Sequence, residues 1–163
     1  FKPPTAFGQN VCTGAQIGNF YTYCIGPTST TTQCTNWASA NTTCEACLLS
    51  SESSPSYGPV VLLGNGSVEL NQPGCIYNAN VSDQACASSY QQLLQCENQA
   101  CETPCPNDFN DCENTAQSTV CNSYLGAADC INSLTTIDPA YPCISAPDFQ
   151  TGYTTIATAF CGQ

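Results

Sequence analysis

The chain has 163 residues, fifteen of them cysteine, with no His or Met, and carries a net charge of −11 at pH 7 with Lys2 as its single basic side chain. That length suits one domain, and the charge leaves nothing to neutralise the phosphates of nucleic acid or of an anionic membrane surface, so neither partner is expected. Without His, a Ser–His–Asp triad and a Cys–His pair are both impossible, and mixed Cys/His zinc sites lack a ligand type.

Residues 1–10, "FKPPTAFGQN", read as an extended arm preceding a single domain over 11–163, and as the start of a mature chain after signal cleavage. Pro3 and Pro4 favour a polyproline conformation, and Phe1 and Phe7 sit outside any periodic pattern, which makes the four a candidate self-association arm. "IGNFYTYCI" (17–25) has the aromatic and β-branched content of a strand, and the Ser/Thr-rich stretch 26–33 reads as a loop. From 33 to 50, Cys34, Trp37, Cys44, Cys47 and Leu48 fall near a helical period. A Ser/Pro-rich linker follows at 50–58.

Within 59–70, "PVVLLGNGSVEL", two β-prone runs flank Asn65-Gly66, a strong hairpin turn pair. Residues 82–101 form the clearest helix: Ser82 is a fair N-cap, Asp83 suits the first turn, and Cys86, Tyr90, Leu93, Ala100 and Cys101 make one stripe with Cys96 beside it. Pro104 and Pro106 end it. Asn107 or Asp108 is expected to cap another helix with Phe109, Cys112, Ala116 and Val120 inward. A short helix follows within 120–134. Pro147-Asp148 starts the last one, with Phe149, Tyr153, Ile156 and Phe160 inward and Gly162 as the stop.

The cysteines decide the compartment. Cys96, Cys101, Cys105 and Cys112 are spaced C-x4-C-x3-C-x6-C, one residue away from a plant-type iron–sulfur motif. The others, Cys12, Cys24, Cys34, Cys44, Cys47, Cys75, Cys86, Cys121, Cys130, Cys143 and Cys161, spread along the whole chain. Metal ligands cluster, whereas staples spread, so about seven disulfides, no metal and no cofactor are expected, in an extracellular or cell-surface setting. The odd count leaves one thiol over or pairing between chains. Cys44-Glu45-Ala46-Cys47 is a CxxC, but no basic neighbour or βαβ pattern supports redox use, and two staples reaching different partners explain it better. "NDFNDCEN" (107–114) departs from a calcium loop at Cys112 and Glu113, and an acidic helix start accounts for it. Asn41, Asn65 and Asn80 head N-x-S/T sequons, which matter only in a glycosylating host.

"TTCEACL" (42–48), "YGPVVLLGNGSVELNQPGCI" (57–76), "ACASSYQQLLQC" (85–96) and "ACETPC" (100–105) resemble a family of exported cysteine-rich proteins abundant in myxobacteria. The resemblance covers roughly residues 40–130. It implies export, disulfides and a bacterial source, and no activity.

The expected fold is therefore α+β and disulfide-rich, with several short helices and a small β element near residues 59–70. Only 8% of residues are charged, against about 25% in ordinary domains, which leaves a neutral hydrogen-bonding surface suited to packing against copies of the same chain or against glycans. The leading expectation is a non-catalytic structural protein that self-associates into a filament or surface assembly. The alternative is a binding module for a small apolar ligand or a glycan, since eight Tyr and six Phe can line a pocket or stack on sugar rings.

Overall fold

The computed structural model describes residues 1–101 and 109–163. The fold is α+β: among the described residues there are eight α-helices and one three-stranded sheet. Helix α1 (Gly14–Phe20) runs straight into a π-helical turn at Tyr21–Ile25, so the strand expected over 17–25 is helical instead. Two local features override the β propensity. Thr13 and Gln16 form a reciprocal capping box at the start, and helical spacing turns Ile17 and Phe20 together into the core. Gly26 closes the turn, its N–H donating to Tyr21 O at 2.7 Å. A Cβ at that position would lie 2.8 Å from the same oxygen.

Helix α2 (Thr31–Ala40) is capped by Thr30 and buries Trp37. Helix α3 (Thr42–Leu48) buries Cys44, Cys47 and Leu48. The chain then forms β1 (Leu49–Ser51), which pairs in parallel with β2 (Val60–Leu62). β2 in turn pairs antiparallel with β3 (Val68–Leu70) across the Asn65-Gly66 turn, giving the expected hairpin and order β1-β2-β3. The stretch read as a linker at 50–58 thus begins with a strand. A parallel pair ordinarily needs a crossover of a dozen or more residues. Here segment 52–59 makes the return, and within it a Cβ on Gly58 would sit 2.7 Å from Cys47 O.

Helix α4 (Gln72–Ala79) was not expected. Asn71 is its N-cap, Pro73 lies in its first turn, and the buried Asn71 amide also donates to Tyr57 O and Gly58 O at 3.2 and 3.0 Å. Helix α5 (Gln84–Cys101) follows a 3-10 turn at Val81–Asp83, and the local cap is Asn80, whose Oδ1 accepts from Ser82 N, rather than Ser82 itself. Ala100 is exposed, while Gln91 and Glu97 occupy buried positions on the helix. Helix α6 (Phe109–Ser118) and helix α7 (Asn122–Ala128) pack against α5. The caps expected at Asn107 or Asp108 and the breaks at Pro104 and Pro106 lie outside the described residues. Val120, expected inward, is 69% exposed beyond the end of α6. Helix α8 (Phe149–Cys161) is capped by Asp148 and stopped at Gly162. It buries Tyr153, Ile156 and Phe160, while Phe149 at its first residue is 42% exposed and points beyond the core edge.

Two cores result. The larger one gathers Phe20, Trp37, Leu48, Val60, Ile76 and Tyr153 with their neighbours. Its aromatic centre is Phe20, 5.2 Å from Trp37 and 6.0 Å from Tyr153 between ring centroids. The smaller one, Leu93, Ala116, Cys121 and Ala128, lies between α5, α6 and α7.

Among the described residues seven disulfides tie these layers: Cys12–Cys44, Cys24–Cys34, Cys47–Cys161, Cys75–Cys143, Cys86–Cys130, Cys96–Cys121 and Cys101–Cys112. The last three fasten α5 to the segments that follow it, so three of the four cysteines in the run from Cys96 to Cys112 serve as staples. The two cysteines of the CxxC reach different partners, Cys12 and Cys161. Cys105 lies outside the described residues. Fifteen is an odd number, so at least one cysteine of each chain cannot pair within it.

The first residues lie along the domain. Tyr57 donates its N–H to Pro3 O at 3.0 Å and accepts from Thr5 N at 2.8 Å. Gly8 and Gln9 donate to Ala159 O and Phe160 O, both at 2.9 Å. Phe1 stacks on Tyr77, and Phe7 meets Phe160 edge-on at 4.8 Å. The segment read as an arm is thus a strap folded onto its own chain.

Candidate functional site

The hairpin, segment 52–59 and α5 enclose a concavity of the surface. One part, about 220 Å³, is bounded by Lys2, Tyr57, Gln91 and Asn98. A second, about 500 Å³, opens between β3 and the C-terminal half of α5 and reaches Glu113 of α6 and Phe149 of α8. Glu52, Leu63, Glu69, Leu94, Asn98 and Gln99 border both, so the two form one groove.

Strand β3 turns Glu69 into this groove, and helix α5 brings Asn98 to it: Asn98 Nδ2 donates to Glu69 Oε2 at 2.6 Å. Burial pushes the Glu69 carboxyl above the ordinary carboxylate range. The Asn98 hydrogen bond opposes that rise, and the negative charges of Glu97, Glu113 and Glu52 add to it. Glu97, only 3% exposed, is also raised by burial against the hydrogen bond it accepts from Gln117 Nε2 at 2.6 Å. Glu113 is raised by burial and by Glu97. Tyr90, whose hydroxyl donates to Gln72 Oε1 at 2.8 Å, is pushed up to about 12 by burial and by the same carboxylates. Glu52 accepts from Gly64 N at 2.8 Å, which fixes its carboxylate at the rim. Lys2 enters from the strap: its ammonium lies 5.1 Å from the centre of the Tyr57 ring and donates to Glu52 O.

This arrangement offers carboxylate and amide groups above the apolar side chains of Leu63, Leu70 and Leu94. A ligand with hydroxyls on its edges and C–H groups on its faces matches both. An anion does not, because the neighbouring glutamates already raise one another.

Three of these glutamates bind protons more tightly in the folded chain than in the unfolded one. Between the ordinary carboxylate pKa, near 4.3, and their raised values, the folded state therefore holds more protons, and stability falls as pH rises through that window. Asp148 works the opposite way. Hydrogen bonds from Thr151 hold it below its ordinary range, so its contribution is lost only at lower pH. The thermal midpoint is expected to be higher near pH 4.5 than near pH 7, and Glu97→Gln is expected to raise it at pH 7 and flatten the difference. A midpoint that climbs from pH 4.5 to pH 7 in the wild type contradicts this.

The other residues singled out from the sequence lie elsewhere. Asn41 is part-buried and holds Gln16 Nε2 and Trp37 O. Asn65 is exposed at the hairpin tip, where its Oδ1 accepts from Ser67 N, and it also edges the groove. Asn80 caps the turn before α5. Phe1 and Phe7 flank the strap, away from the groove lining. Among the described residues, no group of three or more His, Cys, Asp or Glu side chains is placed to hold a metal ion.

Architecture and chemistry define a disulfide-stabilised α+β protein of the kind found in oxidising, extracellular surroundings. Among the described residues no helix is long and apolar enough to cross a membrane. No family model, curated protein or solved structure matches the chain.

Proposed function

We propose that the protein is a secreted, non-catalytic binding module whose groove takes an uncharged, hydroxyl-rich ligand, a glycan segment in preference to a purely apolar molecule. The observation that carries this reading is the groove itself, with Glu52, Glu69, Asn98 and Gln99 ranged over leucines. Paired hydroxyls of a sugar suit carboxylate and side-chain amide groups, and its C–H face suits the leucines. The resemblance to exported myxobacterial proteins adds export and a bacterial source to the proposal. A glycan array probed with the intact protein tests it. Neutral oligosaccharides are expected to bind, sulfated and uronate-bearing ones to be refused, and Glu69→Ala or Asn98→Ala to weaken binding about tenfold, the equivalent of one charge-assisted hydrogen bond. Absence of any neutral ligand at millimolar concentration, or variants that bind as well as wild type, overturns the reading. Release of new reducing ends from a bound glycan would make the glutamates hydrolytic groups and remove the non-catalytic part.

A second reading, assembly of copies into an extracellular structure, is favoured by one fact: the cysteine count is odd, so one thiol of each chain is left over or pairs between chains. A disulfide-linked dimer on a non-reducing gel, absent in Cys105→Ser, is the expected result.

A further inference from the structure

Segment 1–7 is held as a bound peptide is held. Gln91, only 3% exposed on α5, spends its side-chain amide on the strap backbone: Lys2 N donates to Oε1 at 2.6 Å and Nε2 donates to Lys2 O at 3.0 Å. Asn78 Nδ2 donates to Thr5 O at 2.7 Å. Tyr57 supplies an acceptor and a donor on the opposite side, as a sheet edge does for an added strand. Lys2, the one basic side chain of the sequence, drops its ammonium over the Tyr57 ring at the acidic groove. Backbone clasp and charge complementarity together make a site that reads this segment.

Among the described residues no disulfide holds the segment there. The first bridge in the chain is Cys12–Cys44. Between strap and bridge lie the two turning points Gly8 and Asn10, with φ of +66° and +54°. Asn10 is a non-glycine residue in the left-handed region, and Asn tolerates it better than most. Opening this hinge relieves that conformation and frees seven residues that span roughly 24 Å when extended.

We propose that the strap exchanges between copies: residues 1–7 of one chain occupy the cleft formed by Tyr57, Asn78 and Gln91 of a second, which returns its own strap or passes it onward. This rests on the assembly reading and supplies it with a non-covalent contact. The contacts of residues 1–7 in the second copy are the same as those made at home, so the two states differ in the hinge, with the bonds of Gly8 and Gln9 to α8, and in the entropy of association. A tethered segment has an effective concentration on the order of millimolar, so the strap stays at home in dilute solution and exchanges when copies are crowded on a surface. Each exchange also places the partner's lysine at the groove, so the groove is completed by another molecule.

The test uses the full chain carrying Cys105→Ser, which removes a disulfide link between chains through that residue. Deleting Gln9 and Asn10 shortens the hinge so that it no longer turns back, while Cys12 keeps its bridge. Light scattering of this variant at about 100 µM is expected to give at least twice the monomer mass, and adding Gln91→Ala is expected to return it to a monomer with the helical circular dichroism unchanged. As a second measurement, the Cys105→Ser chain with its hinge intact is concentrated to millimolar, as a mixture of isotope-labelled and unlabelled copies, then cross-linked. Mixed dimers are expected, and the added Gln91→Ala is expected to reduce them at least tenfold. A hinge-shortened chain that stays monomeric, or mixed dimers indifferent to Gln91→Ala, overturns strap exchange. If exchange fails while wild-type protein still forms Cys105-dependent dimers, the assembly reading stands without it. If both fail, the assembly reading falls too.

Discussion

Replacing both Cys47 and Cys161 by Ala is expected to lower the stability by about 3–4 kcal/mol, measured as a reduced denaturant midpoint with little change in far-UV circular dichroism. The bridge closes a sequence separation of 114, and in the chain-entropy picture a loop near that length is worth close to 5 kcal/mol. The Cys75–Cys143 bridge lies inside the same loop and shortens its effective length, which brings the figure down. A typical domain has only about 5–15 kcal/mol in hand, so this one bridge is a large fraction. By contrast, removing Cys24–Cys34, with a separation of 10, should cost less. Equal losses for the two would mean that the bridges act through native-state contacts rather than through the unfolded chain.

Phe160→Ala is expected to cost about 3–5 kcal/mol, the usual range for emptying a fully buried aromatic site. Phe160 has no exposed surface and stands beside the Cys161 bridge, so its surroundings have little room to collapse. The substitution also removes the ring against which Phe7 packs. Hydrogen exchange at the Gly8 and Gln9 amides, which bond to Ala159 and Phe160 carbonyls, should therefore speed up more than the global loss alone requires. Exchange that tracks global stability at those two amides would show that the aromatic contact does not hold the strap.

Helix α5, the hairpin and α8 were legible because their signals are local and agree: a cysteine stripe, a turn pair, an acidic N-cap. Residues 17–25 misled because their composition is that of a strand, although the Thr13 and Gln16 capping box lay in plain view and marked a helix start. Helix α4 gave little sign of itself, since Pro73 and Gly74 weaken any helical pattern, and its cap, Asn71, earns its burial from Tyr57 and Gly58 across the fold. The groove was less legible still. Glu69 belongs to a strand, Asn98 to the long helix and Glu113 to the next one, and no spacing in the sequence announces that they meet. Gln91 and Glu97 lie outside the stripe read for that helix. They are buried because the strap covers one and Gln117 receives the other, contacts that exist only once the chain is folded.

The CxxC has a mechanical consequence. Cys12 is joined to Cys44, and Cys161 to Cys47, with only Glu45 and Ala46 between the inner pair. A tensile load applied at residues 12 and 161 therefore travels through two sulfur bridges and one short turn of α3, and bypasses the rest of the molecule. The covalent shortcut spans on the order of 20 Å when taut, against several hundred for the released chain. Under oxidising conditions the protein transmits tension as a short inextensible link through its larger core, with its sheet, its groove and its smaller core slack beside the line of force.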